Sequence, residues 1–462
     1  MKQELLNHFQ SKRKSIEERM AAGKERRTKF PRIMQGEYQP AAKRANPVSI
    51  LEKQAKTRLP ELVPIRYARM LVSPFSFLRG GAAIMAADLA ANGRTTGITV
   101  QACGDLHLAN FGVFASAERN LVFGINDFDE TLPGPWEWDL KRLAASIVAC
   151  GRFLGASKRI CENAVLAAVK SYRKRMLEYA YMGNLDLWYA TISEKDILKS
   201  VTDSALKGAE KIMAKARTST HMQVLGKLTD LVDDKYLLRE NAPFIVRETH
   251  SKDGMPIKKA VGLFLESYFL SLADERKTML KHYWIVDVAR KVVGVGSVGT
   301  RCWVVFLNGN HSGDPLFLQL KEAQPSVLEP YVSKSEYANQ GQRVVIGQRL
   351  IQAAPDIFLG WFDYGSLHFY VRQLRDMKGG VEFDPKKVKV ENLHQYTSLC
   401  GWATALAHAK SGDAAMIAGY VGKSDELDKA MVRFAFTYAD QTERDYQTFI
   451  TAAKRGSIKV AD

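Results

Sequence analysis

Two short runs of the sequence contain carboxylate and amide side chains at spacings that suit phosphoryl transfer. Asp105 and Asn110 stand five residues apart in CGDLHLANFGVF, directly after a strand-like segment, and Asp127 and Asp129 follow a second apolar run in VFGINDFDET. Phosphoryl transfer uses one carboxylate to orient and deprotonate the attacking hydroxyl, with an amide and a second carboxylate holding Mg²⁺. The same residue types also occur in turns that end strands. Two such runs at the ends of neighbouring strands, in this order, favour the phosphoryl-transfer interpretation.

A glycine-rich run indicates a phosphate-binding loop. VVGVGSVGTRCWVVFL carries Gly294, Gly296 and Gly299 in a GxGxxG pattern between two strand-like segments. A dinucleotide-binding turn needs a helix after the glycines, so this context favours a hairpin instead. The backbone amides of such a hairpin, and the hydroxyl of Ser297, can approach phosphate closely. A plain hairpin with permissive glycines is the alternative.

Lys321 is a candidate for a phosphate-binding lysine. It stands near the end of the apolar run PLFLQLKEA, 22 residues after Gly299, and a helix is predicted to follow. A lysine on such a strand can place its ammonium group on the α- and β-phosphates, although an isolated strand lysine is more often a surface residue. Its carboxylate partner is open among Glu322, Glu329 and Glu336. Glu336 is best spaced to lie on the helix, whereas Glu322 should point to the opposite face of the strand.

The first two runs and the segment after them resemble a known branch of kinase-like proteins. CGDLHLAN, INDFDET and LPGPWEWDLKRLA are similar to the pattern HGDxHxxN, IDFxD, Gly-Pro and W-D-L-A of aminoglycoside phosphotransferases and choline kinases. By position, the resemblance implies that Asp105 is the catalytic carboxylate and that Asn110 and Asp127 bind the metal. It also implies that Asp139 supports the catalytic loop. Cys103 stands where the family usually has histidine, so that histidine is not required here.

The resemblance extends to cofactors and to most of the chain. GVGSVG and Lys321 resemble the kinase glycine-rich loop and its lysine, Asp129 takes a supporting role, and the implied cofactors are ATP and Mg²⁺. Residues 40–460 also resemble the bacterial domain-of-unknown-function 2252 family, in the runs SPFSFLRGGAA, DFDETLPGPWEWDLKRL, GQRLIQAAPDIFLGW and ALAHAKSGD. That family name implies no activity.

The order of the elements predicts a circularly permuted fold. In an ordinary kinase the glycine-rich loop precedes the catalytic loop, whereas here Gly294 follows Asp105 by 189 residues. Permutation is tolerated when the two chain ends lie close together at the surface. We therefore predict an α+β, protein-kinase-like fold of two lobes, with residues 157–285 largely helical. The expected parts are a basic N-terminal arm (1–50), a helical lobe with both loops (51–284), a β-rich nucleotide-binding lobe (285–385) and C-terminal helices completing the helical lobe (386–462).

One alternative keeps the usual kinase order. ALAHAKSGD would then be the catalytic loop, with His408 and Asp413 as its active residues. No metal-binding run follows it, whereas Asp127 follows Asp105. The permuted arrangement is therefore favoured.

The charge of the chain is concentrated at its N-terminus. The net charge is +16, and residues 1–50 hold twelve Lys and Arg against five Asp and Glu, so this segment carries +7 and the other 412 residues carry +9. Such an arm can be a solvated helix, a contact for RNA or a membrane surface, or a clamp onto the body. We favour the solvated arm. Nucleic-acid binding is not favoured, because aromatic residues are not interleaved with the basic ones.

Composition excludes several classes of protein. No apolar run reaches eighteen residues, so no membrane span is expected. The first twenty residues lack the apolar segment of a secretory signal. The five cysteines have no CxxC spacing, which argues against a zinc site or disulfide framework and suits the cytoplasm.

The predicted function is an ATP- and Mg²⁺-dependent phosphotransferase. Its acceptor would be a hydroxyl group of an unidentified small molecule or protein. Transfer of AMP, or nucleotide binding without catalysis as in a pseudokinase, remains open on the same fold.

Overall fold

The chain folds into a mixed α+β structure, as predicted. The structure is a computed structural model that describes residues 7, 9–251, 254–292, 294–311, 313–352, 354–374 and 377–461. The helices are α1 (Ile16–Lys29), α2 (Pro47–Ala55), α3 (Val63–Met70), α4 (Pro74–Gly80), α5 (Ala82–Ala91), α6 (Trp136–Phe153), α7 (Lys158–Tyr181), α8 (Asn184–Tyr189), α9 (Glu194–Ser200), α10 (Asp203–Thr218), α11 (His221–Leu228), α12 (Ile257–Leu270), α13 (Asp274–Leu280), α14 (Gln340–Ile351), α15 (Leu393–Ser411), α16 (Ala414–Val421) and α17 (Glu426–Lys454). The strands are β1 (Thr99–Ala102), β2 (Phe111–Ala115), β3 (Leu121–Ile125), β4 (Leu132–Pro135), β5 (Ile192–Ser193), β6 (Thr229–Val232), β7 (Lys235–Leu238), β8 (Ile245–Arg247), β9 (Trp284–Lys291), β10 (Cys302–Asn308), β11 (Pro315–Ala323), β12 (Gly360–Tyr364) and β13 (Leu367–Gln373).

One core joins helices from both ends of the chain. Helix α6 is buried along almost its whole length, and α7, α15, α16 and α17 pack around it. The backbones of α7 and α15 approach so closely that a Cβ on Gly401 would lie 2.0 Å from the carbonyl oxygen of Ala168. Only glycine fits there. The C-terminal helices therefore complete the helical unit that the middle of the chain begins.

The second unit is an antiparallel sheet of six strands in the order β12-β13-β11-β10-β9-β8. Every residue of β11 is buried, because the strand lies inside the sheet with both faces covered. This unit begins earlier in the chain than residue 285. Val224 of α11 packs with Phe306, and Val261 of α12 packs with Leu318. The interval 157–285, expected to be helical, also contains strands β5 to β8.

The basic N-terminal segment packs against the body, contrary to the expected solvated arm. In the contact of α1 with α16, a Cβ on Gly23 would lie 1.9 Å from the carbonyl oxygen of Met416. Arg44 bonds to both Asp88 (Nε to Oδ1, 2.6 Å) and Asp445 (Nη2 to Oδ2, 2.6 Å), and both carboxylates are buried. Arg19, Arg32 and Arg44 form ion pairs with Asp413, Glu426 and Asp88, and Arg27 donates to two carbonyls near the end of α16. Composition alone does not reveal this use of the basic residues.

Two smaller observations bear on the sequence-based exclusions. Across the described ranges, no helix combines the length and the apolar character needed to cross a bilayer. All five cysteines are buried free thiols.

Candidate functional site

The loop that follows β1 is held by the first turns of α6. Asp139 accepts hydrogen bonds from the backbone N–H groups of Cys103 (2.6 Å) and Gly104 (2.9 Å), and its Oδ2 lies 3.3 Å from Nε2 of His408. Gly104 has φ of +79°, and a Cβ there would lie 2.5 Å from the carbonyl oxygen of Glu130. The loop path therefore depends on a glycine and on the buried carboxylate of Asp139, the residue to which the family resemblance assigned support of the loop.

The alternative catalytic loop at ALAHAKSGD does not have free catalytic groups. His408 is buried, and its Nδ1 lies 2.9 Å from the hydroxyl of Tyr172. Asp413 caps α16 by accepting from the N–H of Met416 (3.0 Å) and pairs with Arg19 (2.8 Å). Both residues serve packing and helix capping.

Asp105 lies in the same loop, with one oxygen fixed by an arginine. Its Oδ1 accepts from Nε of Arg142 (2.6 Å) and also pairs with Nη2 of that residue, which donates to the carbonyl of Leu78 (2.9 Å). Burial raises the pKa of Asp105 to about 7, although Arg142 acts in the opposite direction. Nε2 of the buried His107 lies 3.9 Å from Oδ2 of Asp105, and burial lowers the pKa of His107, which keeps it neutral. Asp105 is thus an oriented carboxylate that can exchange a proton near neutral pH.

Asn110 and Asp127 join the loops that follow β1 and β3. The side-chain amide of Asn110 donates to the backbone carbonyl of Asp105 (2.7 Å), and the backbone carbonyl of Asn110 accepts from the N–H of Asn126 (2.8 Å). Oδ1 of Asp127 accepts a long hydrogen bond from the N–H of Asp129 (3.4 Å). Strands β1 and β3 are not neighbours, because β1 pairs with β4 while β3 pairs with β2 and β5. The two loops meet nevertheless. The expectation of neighbouring strands was wrong.

Lys321 binds Asp129 across the two units. Its Nζ pairs with Oδ2 of Asp129, which also accepts from Oγ of Ser297 (2.8 Å), while Oδ1 accepts from the hydroxyl of Tyr370 (2.7 Å). Tyr370 lies opposite Lys321 in the ladder between β11 and β13. Burial alone would raise the pKa of Asp129, but Lys321 and these hydrogen bonds outweigh it and lower the pKa to about 2. Asp129 therefore stays ionised and holds the lysine.

None of the three glutamates proposed as partners of Lys321 pairs with it. Glu336 is exposed in the segment before α14, which begins only at Gln340, so it does not lie on the helix as expected. Glu329 accepts from the N–H of Ser335 (3.3 Å), and Glu322 pairs with Arg301 (3.0 Å).

The glycine-rich run connects β9 with β10, which pair antiparallel, and it rests on the loop of Asp105. A Cβ added to Gly296 would lie 3.9 Å from Oδ2 of Asp105. Gly299 has φ of +93°, and a Cβ there would lie 3.0 Å from Cβ of Arg58. A Cβ on Gly294 would meet no described atom within 4 Å. Gly299 alone of the three is thus required by its backbone conformation and close packing, because a Cβ on Gly296 would make only ordinary van der Waals contact.

A small cavity, here called the central cavity, lies where these loops meet. Its volume is about 30 Å³, room for about two water molecules. Four carboxylates contribute to its wall: Asp105, Asp127, Asp129 and Glu130. Gly296 and Ser297 line it as well, together with three arginines, Arg58, Arg66 and Arg79. No sequence pattern marks these arginines, because single arginines in or beside helical segments carry no recognisable motif.

The carboxylates do not form a ready-made metal site. In the part of the chain that the structure describes, no three or more His, Cys, Asp or Glu side chains are grouped closely enough to hold a metal ion. Oδ1 of Asn110 accepts no hydrogen bond from a described residue. The carboxylate of Asp127 accepts, from the described residues, only the long hydrogen bond from Asp129. Two available oxygen ligands suit a Mg²⁺ that arrives with phosphate, because such ions use one or two protein ligands together with phosphate and water.

Comparison with protein families gives one match across most of the chain. Residues 58–452 match the family described as "Uncharacterized protein conserved in bacteria (DUF2252)". The matched range includes both loops, the glycine-rich run and Lys321. No curated protein and no solved structure matched the chain.

Proposed function

Because the chain belongs to the bacterial DUF2252 family, whose description states no activity, we propose its function from the site itself: it is an ATP- and Mg²⁺-dependent phosphotransferase acting on a hydroxyl acceptor. One observation carries the proposal. Lys321 and Ser297 of the sheet unit bond to Asp129, and Gly296 rests on Asp105, although these residues are up to 216 positions apart in sequence. Kinase-like phosphoryl transfer needs these residue types together.

The order of elements in the sheet unit supports a kinase-like nucleotide-binding part. Strand β9, the glycine-rich connection, β10, β11 with Lys321 and helix α14 follow one another. Protein kinases have a glycine-rich loop over the phosphates, a lysine on the third strand and then a helix. In this chain the set comes after the loops of Asp105 and Asp127, so the proposal includes a circular permutation.

Asp105 is the proposed general base. A general base works best when its pKa lies near the working pH, and burial brings that of Asp105 to about 7. Arg142 fixes one oxygen of the carboxylate, which leaves the other for the acceptor hydroxyl. Asp139 fixes the backbone of the loop and so keeps Asp105 in place.

Asn110 and Asp127 are the proposed ligands of the nucleotide's Mg²⁺. Bound Mg²⁺ would neutralise charge on the phosphate oxygens. Lys321 would supply a further positive charge to the phosphates, and Asp129 keeps its ammonium group oriented until then. At about 30 Å³ the central cavity is too small for a triphosphate. Nucleotide entry therefore requires Ser297 and Gly296 to separate from Asp129 and Asp105.

Incubation with ATP labelled separately at the γ- and α-positions, with and without Mg²⁺, tests the proposal. Label would be followed into water, the protein itself and the small molecules and proteins of a bacterial extract. Mg²⁺-dependent transfer of the γ-label, lost in Asp105→Asn, is the expected result. Transfer of the α-label would indicate an AMP transferase, and ATP binding without transfer a pseudokinase. A protein that binds no ATP under any of these conditions would overturn the proposal.

A further inference from the structure

The three arginines of the central cavity come from one segment of the chain. Arg58 follows α2, Arg66 lies in α3 and Arg79 lies in α4. Two hydrogen bonds join this segment to the glycine-rich connection. The N–H of Leu59 donates to the carbonyl of Gly299 (2.8 Å), and Nη1 of Arg58 donates to the carbonyl of Val298 (2.5 Å). The arginines are therefore held beside the loop that the proposed function assigns to phosphate.

Each of these guanidinium groups has at least one buried nitrogen that donates no hydrogen bond. Arg66 is 1% exposed, and its Nε and Nη1 have no hydrogen-bond partner, although Nη2 donates to the carbonyl of Gly80 (2.8 Å). Nε of Arg58 and Nε of Arg79 are likewise buried without a partner. No described Asp or Glu forms an ion pair with any of the three. Buried donors that stay unsatisfied are costly, and arginine in particular is rarely buried without a partner.

The charges around the cavity leave an excess of positive charge. Two of its four wall carboxylates are paired, with Arg142 and Lys321. The other two, Asp127 and Glu130, face the three wall arginines, so the remaining formal charge is +1 (three minus two). Burial also raises the pKa of Glu130. An anion is the ligand that this balance accommodates.

We propose that Arg58, Arg66 and Arg79 form a binding site for a single phosphate group in the central cavity. Planar guanidinium groups with several N–H donors match phosphate oxygens, and a cavity of about 30 Å³ limits what enters it to one small anionic group. The group is either the terminal phosphate of a nucleotide or a phosphate carried by the acceptor. The proposal that this site binds phosphate does not depend on the proposed function. Only the assignment of the phosphate to one of these two sources rests on that function.

Inorganic phosphate is the probe for the site itself. Binding to the full chain would be measured calorimetrically and by thermal unfolding, without nucleotide or metal, against sodium chloride of equal ionic strength. Arg79→Met is the decisive variant, because Arg79 donates no hydrogen bond to a described residue, and only its stacking over Phe75 is lost. We expect saturable phosphate binding in the wild type that Arg79→Met and Arg66→Met weaken by about 10- to 100-fold, the effect of losing a hydrogen bond to a charged group.

A matched control separates this site from a general role of buried arginines. Arg349 is half-buried and donates to a backbone carbonyl, as Arg66 does, but it does not line the cavity. Arg349→Met should therefore bind phosphate like the wild type. If Arg66→Met fails to fold, Arg79→Met decides alone. Absence of phosphate binding in the wild type, or unchanged binding in a folded Arg79→Met, would overturn the proposal.

Nucleotide titrations in the presence of Mg²⁺ then identify the source of the phosphate. If it is the terminal phosphate of ATP, Arg79→Met should lower the affinity for ATP and leave that for ADP unchanged. Inorganic phosphate should then compete with ATP but not with ADP. If it belongs to the acceptor, inorganic phosphate should bind to the protein saturated with ATP. Arginine-dependent phosphate binding without any nucleotide binding would refute the proposed function and keep the anion site. Transfer of γ-label by a protein that binds no phosphate would refute the anion site and keep the proposed function.

Discussion

Replacing Lys321 by methionine removes the cation that joins the two units and leaves the carboxylate of Asp129 in place. The lysine is 3% exposed and the side chain of Asp129 is 26% exposed, so water can replace the ion pair only in part. Ser297 and Tyr370 still donate to Asp129 in the variant, but both donors are neutral. The variant therefore measures how much the contact between the sheet unit and the loop of Asp129 contributes to stability.

The pKa of Asp129 sets the size of the effect. That pKa is about 2, against an ordinary value of 3.8, and the difference corresponds to about 2 kcal/mol of stabilisation of the charged form. Breaking a buried pair by removing one partner costs about 3–5 kcal/mol, because the remaining charge is left desolvated. We expect Lys321→Met to lower the free energy of unfolding at pH 7 by about 2–5 kcal/mol.

The loss should depend on pH in a defined direction. In the wild type the lowered pKa of Asp129 contributes stability that is complete above pH 3.8 and is lost as the pH falls through about 2. Without the lysine, burial raises this pKa above its ordinary value, so the variant gains stability when the carboxylate takes up a proton. The difference between variant and wild type should therefore shrink as the pH is lowered from 7 to 4.

Urea unfolding at several pH values checks both statements. Lys277→Met is the matched control, because Lys277 forms an exposed ion pair with Asp274 (2.8 Å). The control should change stability less and show no pH dependence between 5 and 7. A loss below about 1 kcal/mol, the range of surface ion pairs, or a loss independent of pH, would show that Lys321 and Asp129 are not paired in a buried contact.

Three further predictions follow from the site and the N-terminal segment. Asp105→Asn should lower turnover by about 10²–10⁴-fold while keeping ATP affinity, and Asp127→Asn should chiefly weaken Mg²⁺-dependent ATP binding. Calorimetry would measure ATP affinity and label transfer would measure turnover; the opposite pattern in the two variants would show that the roles are exchanged. In the wild type, kcat/KM should rise with pH and level off above about 7, because Asp105 must lose its proton; a profile flat from pH 5 to 8 would exclude it as the base. Arg44→Met should lower the free energy of unfolding, measured by urea unfolding, by about 3–5 kcal/mol, because two buried carboxylates lose their cation. Unchanged stability would instead support a solvated N-terminal arm.

The local chain determined the residues that carry the candidate chemistry. The apolar runs before Asp105 and Asp127 predicted β1 and β3, and the apolar run PLFLQLKEA predicted β11. Asp139 follows Trp136 at the start of a helix, and there it reaches the loop of Asp105. Strand and helix periodicity depends on side chains a few positions apart, so it can be read from sequence.

Tertiary structure decided which charges meet. The sequence pattern offered Lys321 a glutamate on the next helix, but that helix begins at Gln340, and the carboxylate within reach is that of Asp129, 192 residues earlier in the chain. Arg58 and Arg66 appear in sequence as ordinary cations in or beside helices, and only folding joins Arg58 to the carbonyl of Val298 and buries Arg66. An ion pair or a buried donor depends on distances between segments that are remote in sequence, and no local pattern of residues specifies those distances.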